Sequence, residues 1–197
     1  MLCESPTYLA AIQAFRAYGA TFVEVATDDD GMLPDDLERR LTENERVKLV
    51  YVVPDFQNPT GRCWSLARRR RLLELANRYG VPVVEDAAQA IGAEDAQGRR
   101  CGSRGAFGCF SFFPSKNLGA YGDGGAIFTD NDDLAHTIRG IVNHGMYERY
   151  YHDVIGVNSR LDSLQAAVLR AKLPHLDRYC DRRREAARYY NRAFEGH

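Results

Sequence analysis

Two segments of this sequence carry side chains whose types and spacing could support catalysis. The first, Glu85-Asp86-Ala87-Ala88-Gln89, places two carboxylates and an amide directly after an apolar run, where Asp86 could bind a ligand or simply cap a helix. The second holds Lys116 between an aromatic run at 110–113 and a glycine-rich turn that ends at Gly125. Apolar surroundings favour the neutral amine, which is the nucleophile that forms a Schiff base. The second segment therefore indicates a reactive lysine.

Both segments resemble those of a known enzyme family. VVEDAAQA at 83–90 and SFFPSKNLG at 111–119 are similar to signatures of the DegT-type sugar-nucleotide aminotransferases, which use pyridoxal phosphate. The likeness continues through NHG, RYYH, GVNSRLD and QAA, so it covers about residues 81–197. This resemblance implies the large domain of the PLP-dependent transferase fold type I, with pyridoxal 5'-phosphate as its cofactor.

The resemblance also implies a role for each matching residue. Lys116 would form the Schiff base with the cofactor and then move a proton between the substrate carbon and the cofactor's C4′ atom. Asp86 would pair with the pyridine nitrogen, Gln89 would hold the oxygen side of the ring, and Ser111 would donate to the phosphate. Asn158 resembles a residue that crosses a dimer interface to the phosphate of the neighbouring subunit. We therefore expect a homodimer with a shared active site.

Residues 1–85 resemble a related family, the class I amino-acid aminotransferases, through the motifs ESPTY, DDDGM and PDFQNPTG. In that class, Asn58 would hydrogen-bond to the phenolic oxygen of the cofactor, and Tyr8 would stack on its ring. From spacing alone, Tyr8 is expected to be a core aromatic, and Asn58 could organise its own turn before a proline. The chain therefore resembles a mosaic of two fold type I families that meet near Asp86.

An alternation of strands and helices must position these motifs. We predict strands at 21–25, 48–53, 81–84, 108–112 and 125–129. We predict helices at 8–18, 33–41, 65–79 and 132–142, a capping box of Ser159 and Asp162 opening a helix that ends near Pro174, and a charged helix to about 194. This order predicts an α/β fold with a mostly parallel sheet, helices on both faces and ligands at the carboxyl ends of the strands.

We expect two parts within this fold. Residues 1–157 would form a large PLP-binding domain that is incomplete at its N-terminus. Residues 158–197 would form a C-terminal helical extension leading towards a small domain that is missing or truncated. In both families the turn that binds the cofactor phosphate lies upstream of residue 1.

Composition excludes several other functions. Lys plus Arg number 26 against 27 Asp plus Glu, so the chain lacks the basic excess of a nucleic-acid-binding protein. The run Arg68-Arg69-Arg70-Arg71 is predicted to be a solvated or interfacial helix face. No apolar run approaches the roughly 20 residues of a membrane span, and no signal peptide can be identified, so we expect a cytoplasmic protein. The five cysteines, His144 and His152 have no metal-ligand spacing, and we expect no metal site.

We therefore predict a pyridoxal-phosphate-dependent aminotransferase that moves an amino group from glutamate or a similar donor to a keto sugar nucleotide. One alternative is a class I amino-acid or keto-acid transaminase. Another is a catalytically inactive, truncated or recombined fragment that acts only as a dimerisation or folding unit. A sugar dehydratase of the same fold is disfavoured, because such a relative has histidine in place of Lys116.

Overall fold

The computed structural model describes residues 1–95 and 97–196, which form two compact units. The first unit comprises Met1–Phe110 and Ala126–Arg160. The second comprises Ser111–Gly125 and the helices that follow Leu161. The α/β class that we predicted is confirmed, whereas the domain boundary that we placed after residue 157 stays a prediction.

The strands and helices follow one another closely along the chain. The strands are β1 (Leu2–Glu4), β2 (Val23–Val25), β3 (Thr27–Asp28), β4 (Gly31–Met32), β5 (Val50–Val52), β6 (Val83–Asp86), β7 (Phe107–Ser111), β8 (Gly125–Phe128), β9 (Met146–Glu148) and β10 (Tyr151–His152). The helices are α1 (Leu9–Ala17), α2 (Pro34–Glu43), α3 (Leu66–Arg78), α4 (Asp132–Val142), α5 (Ser163–Lys172) and α6 (Leu176–Ala193), with a short 3₁₀ turn, Leu173–His175, between the last two.

A six-stranded sheet in the order β2-β1-β5-β6-β7-β8 is the centre of the fold. The pairs β1–β2, β1–β5, β5–β6 and β6–β7 are all parallel, as the alternation of strands and helices predicts. β3 and β4 form a separate antiparallel hairpin around the acidic turn at 28–31. Because parallel strands end at one edge, the residues after β5 and β6 share that edge.

Helices cover both faces of this sheet. On one face, Leu37 and Leu41 of α2 and Leu72 and Leu75 of α3 pack against buried aliphatic side chains of β1, β2, β5 and β6. On the other face, Phe15 of α1 packs with Ala11 and Ile12 against Cys3, Tyr51 and Val53. Strands that are covered on both faces are apolar at every position, which is why the runs at 48–53 and 81–84 lack alternation.

Strand β1 lies before the first helix and was not among the predicted strands. Its three residues are all buried, and Leu2 pairs with Val23 of β2 and Val50 of β5. The strand therefore lies inside the sheet although it is the first element. Three residues are too few to show a period, so nothing in Leu-Cys-Glu alone predicted it.

The start of helix α5 differs from the one that we predicted. We predicted that Ser159 and Asp162 would form a capping box, but α5 begins at Ser163 with Asp162 as its N-cap. The Asp162 carboxylate accepts a hydrogen bond of 2.7 Å from the amide of Leu164, while the amide of Ser159 donates to the carbonyl of Val142.

Within the described part of the chain, no helix is long and apolar enough to cross a membrane.

Candidate functional site

The carboxylate of Asp86 is held at the carboxyl end of β6 by two hydrogen bonds. Its Oδ2 atom accepts a bond of 2.6 Å from the hydroxyl of Tyr51, and its Oδ1 atom accepts one of 2.9 Å from the amide of Ala88. The Tyr51 side chain is 3% exposed and packs edge-on against Phe15. Burial and the negative charge of Asp86 raise the pKa of Tyr51 well above its usual value, so this phenol stays a donor. Asp86 therefore has a fixed orientation.

The neighbouring carboxylate of Glu85 has a different task. It is buried, and its two oxygens accept hydrogen bonds from the backbone amides of Gly102 (2.7 Å), Arg104 (3.1 Å) and Gly105 (3.3 Å). Glu85 thus anchors the loop before β7, and of the two adjacent acids only Asp86 is partly exposed. The two acids look equivalent in the sequence, but Glu85 anchors a loop and Asp86 is the candidate for binding a ligand.

A buried ion pair lies just after β5. The carboxylate of Asp55 accepts two hydrogen bonds of 2.7 Å from the guanidinium of Arg69, which also donates to the carbonyls of Pro54 and Trp64. Arg69 is 8% exposed, so the prediction of a solvated or interfacial face was wrong for this residue, whereas Arg70 is exposed. A single surface role for the run Arg68–Arg71 was a wrong prediction, because consecutive residues of a helix point in different directions.

A third buried carboxylate, that of Glu4, lies at the end of β1. It accepts hydrogen bonds of 3.0 Å from the amide of Val53 and 3.0 Å from the indole of Trp64, and it is 3% exposed. Burial raises the pKa of Glu4 to about 7 although both hydrogen bonds oppose that rise. Glu4 therefore fixes the start of the turn that leads to Tyr8.

Tyr8 and Asn58 lie on two loops of the first unit. Tyr8 immediately precedes α1 and is 41% exposed, so it is not the core aromatic that spacing alone allowed. Asn58 is half-buried and follows Gln57, whose carboxamide accepts from Thr60 and donates to the carbonyl of Pro6. Gln57, and not Asn58, thus organises the turn through its side chain. Both Tyr8 and Asn58 remain candidates for contact with a ligand.

Gln89 and Asn158 are exposed residues of the first unit. Gln89 lies in the turn that follows Asp86. The backbone of Asn158 pairs with that of Asn143, and its side-chain oxygen accepts a hydrogen bond of 3.2 Å from Arg160. His144 and His152 approach one another only through a ring nitrogen and a carbonyl, 2.8 Å apart. Within residues 1–95 and 97–196, no group of His, Cys, Asp and Glu could hold a metal ion.

In the second unit, Lys116 lies in a loop that is closed by backbone hydrogen bonds. The amide of Lys116 donates to the carbonyl of Phe113 (2.9 Å), and the amide of Ala120 donates to that of Phe112 (2.8 Å). The hydroxyl oxygen of Ser111 accepts from the amide of Phe113 at 3.2 Å. Gly119 is required here, because a Cβ atom on it would lie 2.3 Å from the carbonyl oxygen of Pro114. The loop thus has a fixed path on both sides of the lysine.

Side chains of α5 and α6 hold this loop from the outside. Arg183 donates 2.9 Å to the carbonyl of Ser115, and the Asn117 amide lies 3.4 Å from the sulfur of Cys180. Lys172 donates to the carbonyl of Gly119. These contacts flank Lys116 in the sequence, and no local pattern predicts them, because the paired residues are 53, 63 and 68 positions apart. The C-terminal helices are therefore part of the support of the lysine loop.

The residues of the first unit suit the ring of pyridoxal phosphate. Each oxygen of Asp86 has accepted one hydrogen bond, and a carboxylate can accept about four, so it can also accept one from a protonated pyridine nitrogen. The exposed ring of Tyr8 offers a face for stacking. In the second unit, the hydroxyl of Ser111 still has a hydrogen that it can donate to a phosphate. The described residues therefore fit this cofactor.

The chain is similar to known aminotransferases. The sequence model of the DegT/DnrJ/EryC1/StrS aminotransferase family matches residues 1–197. The chain is 45% identical over 186 residues to a UDP-N-acetyl-3-dehydro-alpha-D-glucosamine 3-aminotransferase of Acidithiobacillus ferrooxidans, which covers 93% of this chain and 48% of that protein. The crystal structure of DesV of S. venezuelae, solved with a ketimine intermediate, matches with a TM-score of 0.82 at 40% identity and covers 99% of this chain and 51% of that one.

Part of the chain also matches an amino-acid aminotransferase. Over 90 residues, 44% of this chain, it is 50% identical to aromatic-amino-acid aminotransferase 1 of Thermococcus litoralis, of which this stretch is 22%. The match of the family model nevertheless extends over those residues as well. The chain spans about half the length of the curated sugar-nucleotide relatives it matches.

Proposed function

Since the chain belongs to the DegT/DnrJ/EryC1/StrS aminotransferase family, we propose that the protein that contains it transfers an amino group from glutamate or a similar donor to a keto sugar nucleotide. The observation that carries this proposal is the 45% identity to a sugar-nucleotide aminotransferase across 93% of the chain. The fixed carboxylate of Asp86 and the constrained loop of Lys116 support it, because they are the two groups such a reaction needs from this part of the protein.

The cofactor that we propose is pyridoxal 5'-phosphate. When bound, it supplies an electron sink that stabilises negative charge on the carbon next to the transferred nitrogen. Asp86 holds the proton on the pyridine nitrogen, because a fixed anion at hydrogen-bonding distance stabilises the cationic ring. Tyr51 and Ala88 keep both oxygens of Asp86 in place, so that little reorientation is needed when the ring binds.

Lys116 supplies the amine in this proposal. Its amine would hold the cofactor to the protein, and the same amine would carry the proton between the substrate carbon and the C4′ position. The hydrogen bonds around Ser115, Asn117 and Gly119 limit the directions in which its loop can move. A base that delivers protons between two nearby atoms gains from such restriction, because less entropy is lost in reaching the transition state.

The remaining candidate residues bind and orient. Gln89 and Asn58 hold the phenolic oxygen of the ring, Tyr8 stacks on its face, and Ser111 donates to the phosphate. Asn158 reaches the phosphate in the other subunit of a homodimer, so each active site uses residues of two chains. The exposed position of Asn158 in the described structure is compatible with such a role.

Absorbance spectroscopy tests the proposed cofactor site. The chain is titrated with pyridoxal phosphate, reduced with borohydride and digested, in parallel with Lys116→Ala and the control Lys48→Ala, which changes an exposed lysine. We expect a visible band for the wild type and the control, no such band for Lys116→Ala, and a reduced adduct on the peptide that contains Lys116. Identical spectra for wild type and Lys116→Ala would contradict the proposal and favour an inactive dimerisation or folding unit.

The alternative candidate, an amino-acid transaminase, is not favoured, because the 50% identity to an aromatic-amino-acid aminotransferase extends over 90 residues only. The two candidates differ in their amino acceptor. The full-length protein is therefore assayed with keto sugar nucleotides and with free keto acids. Amino transfer to keto sugar nucleotides supports the first candidate, and transfer to keto acids alone supports the second.

A further inference from the structure

A buried glutamine side chain connects two loops of the first unit that are distant in the sequence. The carboxamide of Gln57 donates a hydrogen bond of 2.8 Å from Nε2 to the carbonyl of Pro6. Its Oε1 atom accepts two more bonds, of 2.8 Å from the amide and 2.7 Å from the hydroxyl of Thr60. The residue is 3% exposed, so these bonds replace the water that the carboxamide would otherwise bind.

The two loops that Gln57 connects carry the two candidate ring contacts. Pro6 stands two residues before Tyr8, and Asn58 directly follows Gln57. We propose that Gln57 is a positioning residue for pyridoxal phosphate, whose carboxamide fixes the stacking ring of Tyr8 and the amide of Asn58 relative to one another. This inference rests on the proposed function and adds a residue to which neither the motifs nor the resemblance assigns a role.

Other bonds fix both loops to the body of the first unit, so Gln57 connects parts that are already well ordered. Glu4, directly before the Ser5–Pro6 turn, is bound to Val53 and Trp64. On the other side, the backbone of Gln57 donates to the carbonyl of Arg62 (2.8 Å) and accepts from the amide of Gly61 (2.5 Å), which closes the 57–62 loop. The side chain of Gln57 then fixes the distance between the two loops, which these other bonds leave free.

A carboxamide is the side chain that this place requires. The bond to Pro6 needs a donor and the bonds to Thr60 need an acceptor, and an ionised glutamate offers only acceptors. A glutamate would also place a buried negative charge against the Pro6 carbonyl oxygen. A leucine of similar size would leave the Pro6 carbonyl and the Thr60 donors without their partner, which is costly in a buried site. Either change should separate the two loops.

Binding of pyridoxal phosphate to the full chain tests this inference. Dissociation constants are measured by equilibrium dialysis for the wild type, Gln57→Leu, Gln57→Glu and the control Gln13→Leu, which changes an exposed glutamine of α1. We expect both Gln57 variants to bind about tenfold or more weakly, since a buried hydrogen-bonded group is lost, and the control to bind as the wild type does. Circular dichroism identifies the variants that fold.

A double-mutant cycle separates positioning from general stability. If Gln57 acts through Tyr8 and Asn58, then Gln57→Glu should weaken binding much less in a Tyr8→Ala, Asn58→Ala background than in the wild type. Equal effects in both backgrounds, or unchanged binding by both Gln57 variants, would overturn the inference and leave the proposed function intact. Absence of binding by the wild type would overturn the proposed function and the inference together.

Discussion

The hydroxyl of Tyr51 donates a 2.6 Å hydrogen bond to the carboxylate of Asp86, across the parallel strands β5 and β6. A hydrogen bond to an ionised acceptor is shorter and stronger than one between neutral groups. The side chains of the two residues meet although Tyr51 pairs in register with Val84 and not with Asp86. The long phenol bridges that offset, so a buried strand residue controls a carboxylate at the edge of the sheet.

Replacement of Tyr51 by phenylalanine should lower both the stability of the fold and its affinity for the cofactor. The change leaves the ring packing intact and removes the donor to a partly buried carboxylate, so we expect the free energy of unfolding to fall by about 1–3 kcal/mol. Affinity for pyridoxal phosphate should fall about tenfold. Urea denaturation and cofactor titration measure the two effects. Tyr79→Phe is the control, since its hydroxyl bonds to Thr42 at the exposed surface, and a similar loss there would contradict a special role for Tyr51.

Glu4 should make stability depend on pH. Burial raises its pKa to about 7, against about 4.3 in an unfolded chain, so between these values the folded state binds the proton more readily. The free energy of unfolding should therefore fall as the pH rises from about 5 to about 7.5, by up to about 3 kcal/mol from this group. Urea denaturation at several pH values measures the change.

The variant Glu4→Gln isolates this contribution. Because the amide does not titrate, the fall in unfolding free energy between pH 5 and 7.5 should be smaller than in the wild type. Glu45→Gln, at an exposed loop position, should keep the wild-type dependence. Parallel curves for wild type and Glu4→Gln would show that Glu4 does not titrate in this range.

Arg69 and Arg70 are adjacent, but we expect their replacement to change the free energy of unfolding by very different amounts. Arg69→Met leaves Asp55 as a buried carboxylate without its ion-pair partner, and we expect a loss of about 3–5 kcal/mol in unfolding free energy. Arg70→Met changes an exposed side chain of the same helix and should cost less than about 0.5 kcal/mol. Thermal and urea denaturation compare them. The double variant Asp55→Asn, Arg69→Met should recover part of the loss, because the buried charge is then absent.

Gly119 and Gly122 offer a comparison in the loop that carries Lys116. Gly119→Ala would place a methyl group against the backbone of Pro114 and Phe113, so the loop must shift. We expect a loss of about 1–3 kcal/mol and weaker labelling of Lys116 by pyridoxal phosphate with borohydride. At Gly122 the nearest atom is the end of the Gln165 side chain, 3.1 Å away, which can move. The control variant is therefore Gly122→Ala. Equal labelling of Lys116 in Gly119→Ala and Gly122→Ala would contradict the need for a fixed loop path at Gly119.

Much of the fold could be predicted because strands and helices alternate in long, distinctive runs. The predicted strand at 48–53 contains β5, the helix at 65–79 contains α3 with Ser65 as its N-cap, and the helix at 132–142 coincides with α4. Local patterns failed where the deciding contact is not local. Ser159 and Asp162 have the spacing of a capping box, but the amide of Ser159 is bound to Val142, before the helix begins.

The candidate site shows the same division between local and distant information. Asp86, Asn58 and Lys116 could be selected from motifs, and their roles stay predictions. The residues that hold them could not be selected, because Tyr51 meets Asp86 from another strand and Gln57 meets Pro6 from another loop. One signal was present: a phenol in the otherwise aliphatic run at 49–53 must find a partner for its hydroxyl once it is buried.

The inner position of β1 has a consequence for how this chain folds. Strand β1 is fully paired only when Leu2 has met both Val23 and Val50. Both pairings are parallel and join residues that are distant in the sequence. The formation of such contacts costs loop-closure entropy before the strand pairing stabilises the chain, and this cost slows folding. In a growing chain, β1 therefore lacks one of its two strand partners until β5 has left the ribosome. Until then, the backbone edge of β1 that faces β5 is open to pairing with another chain.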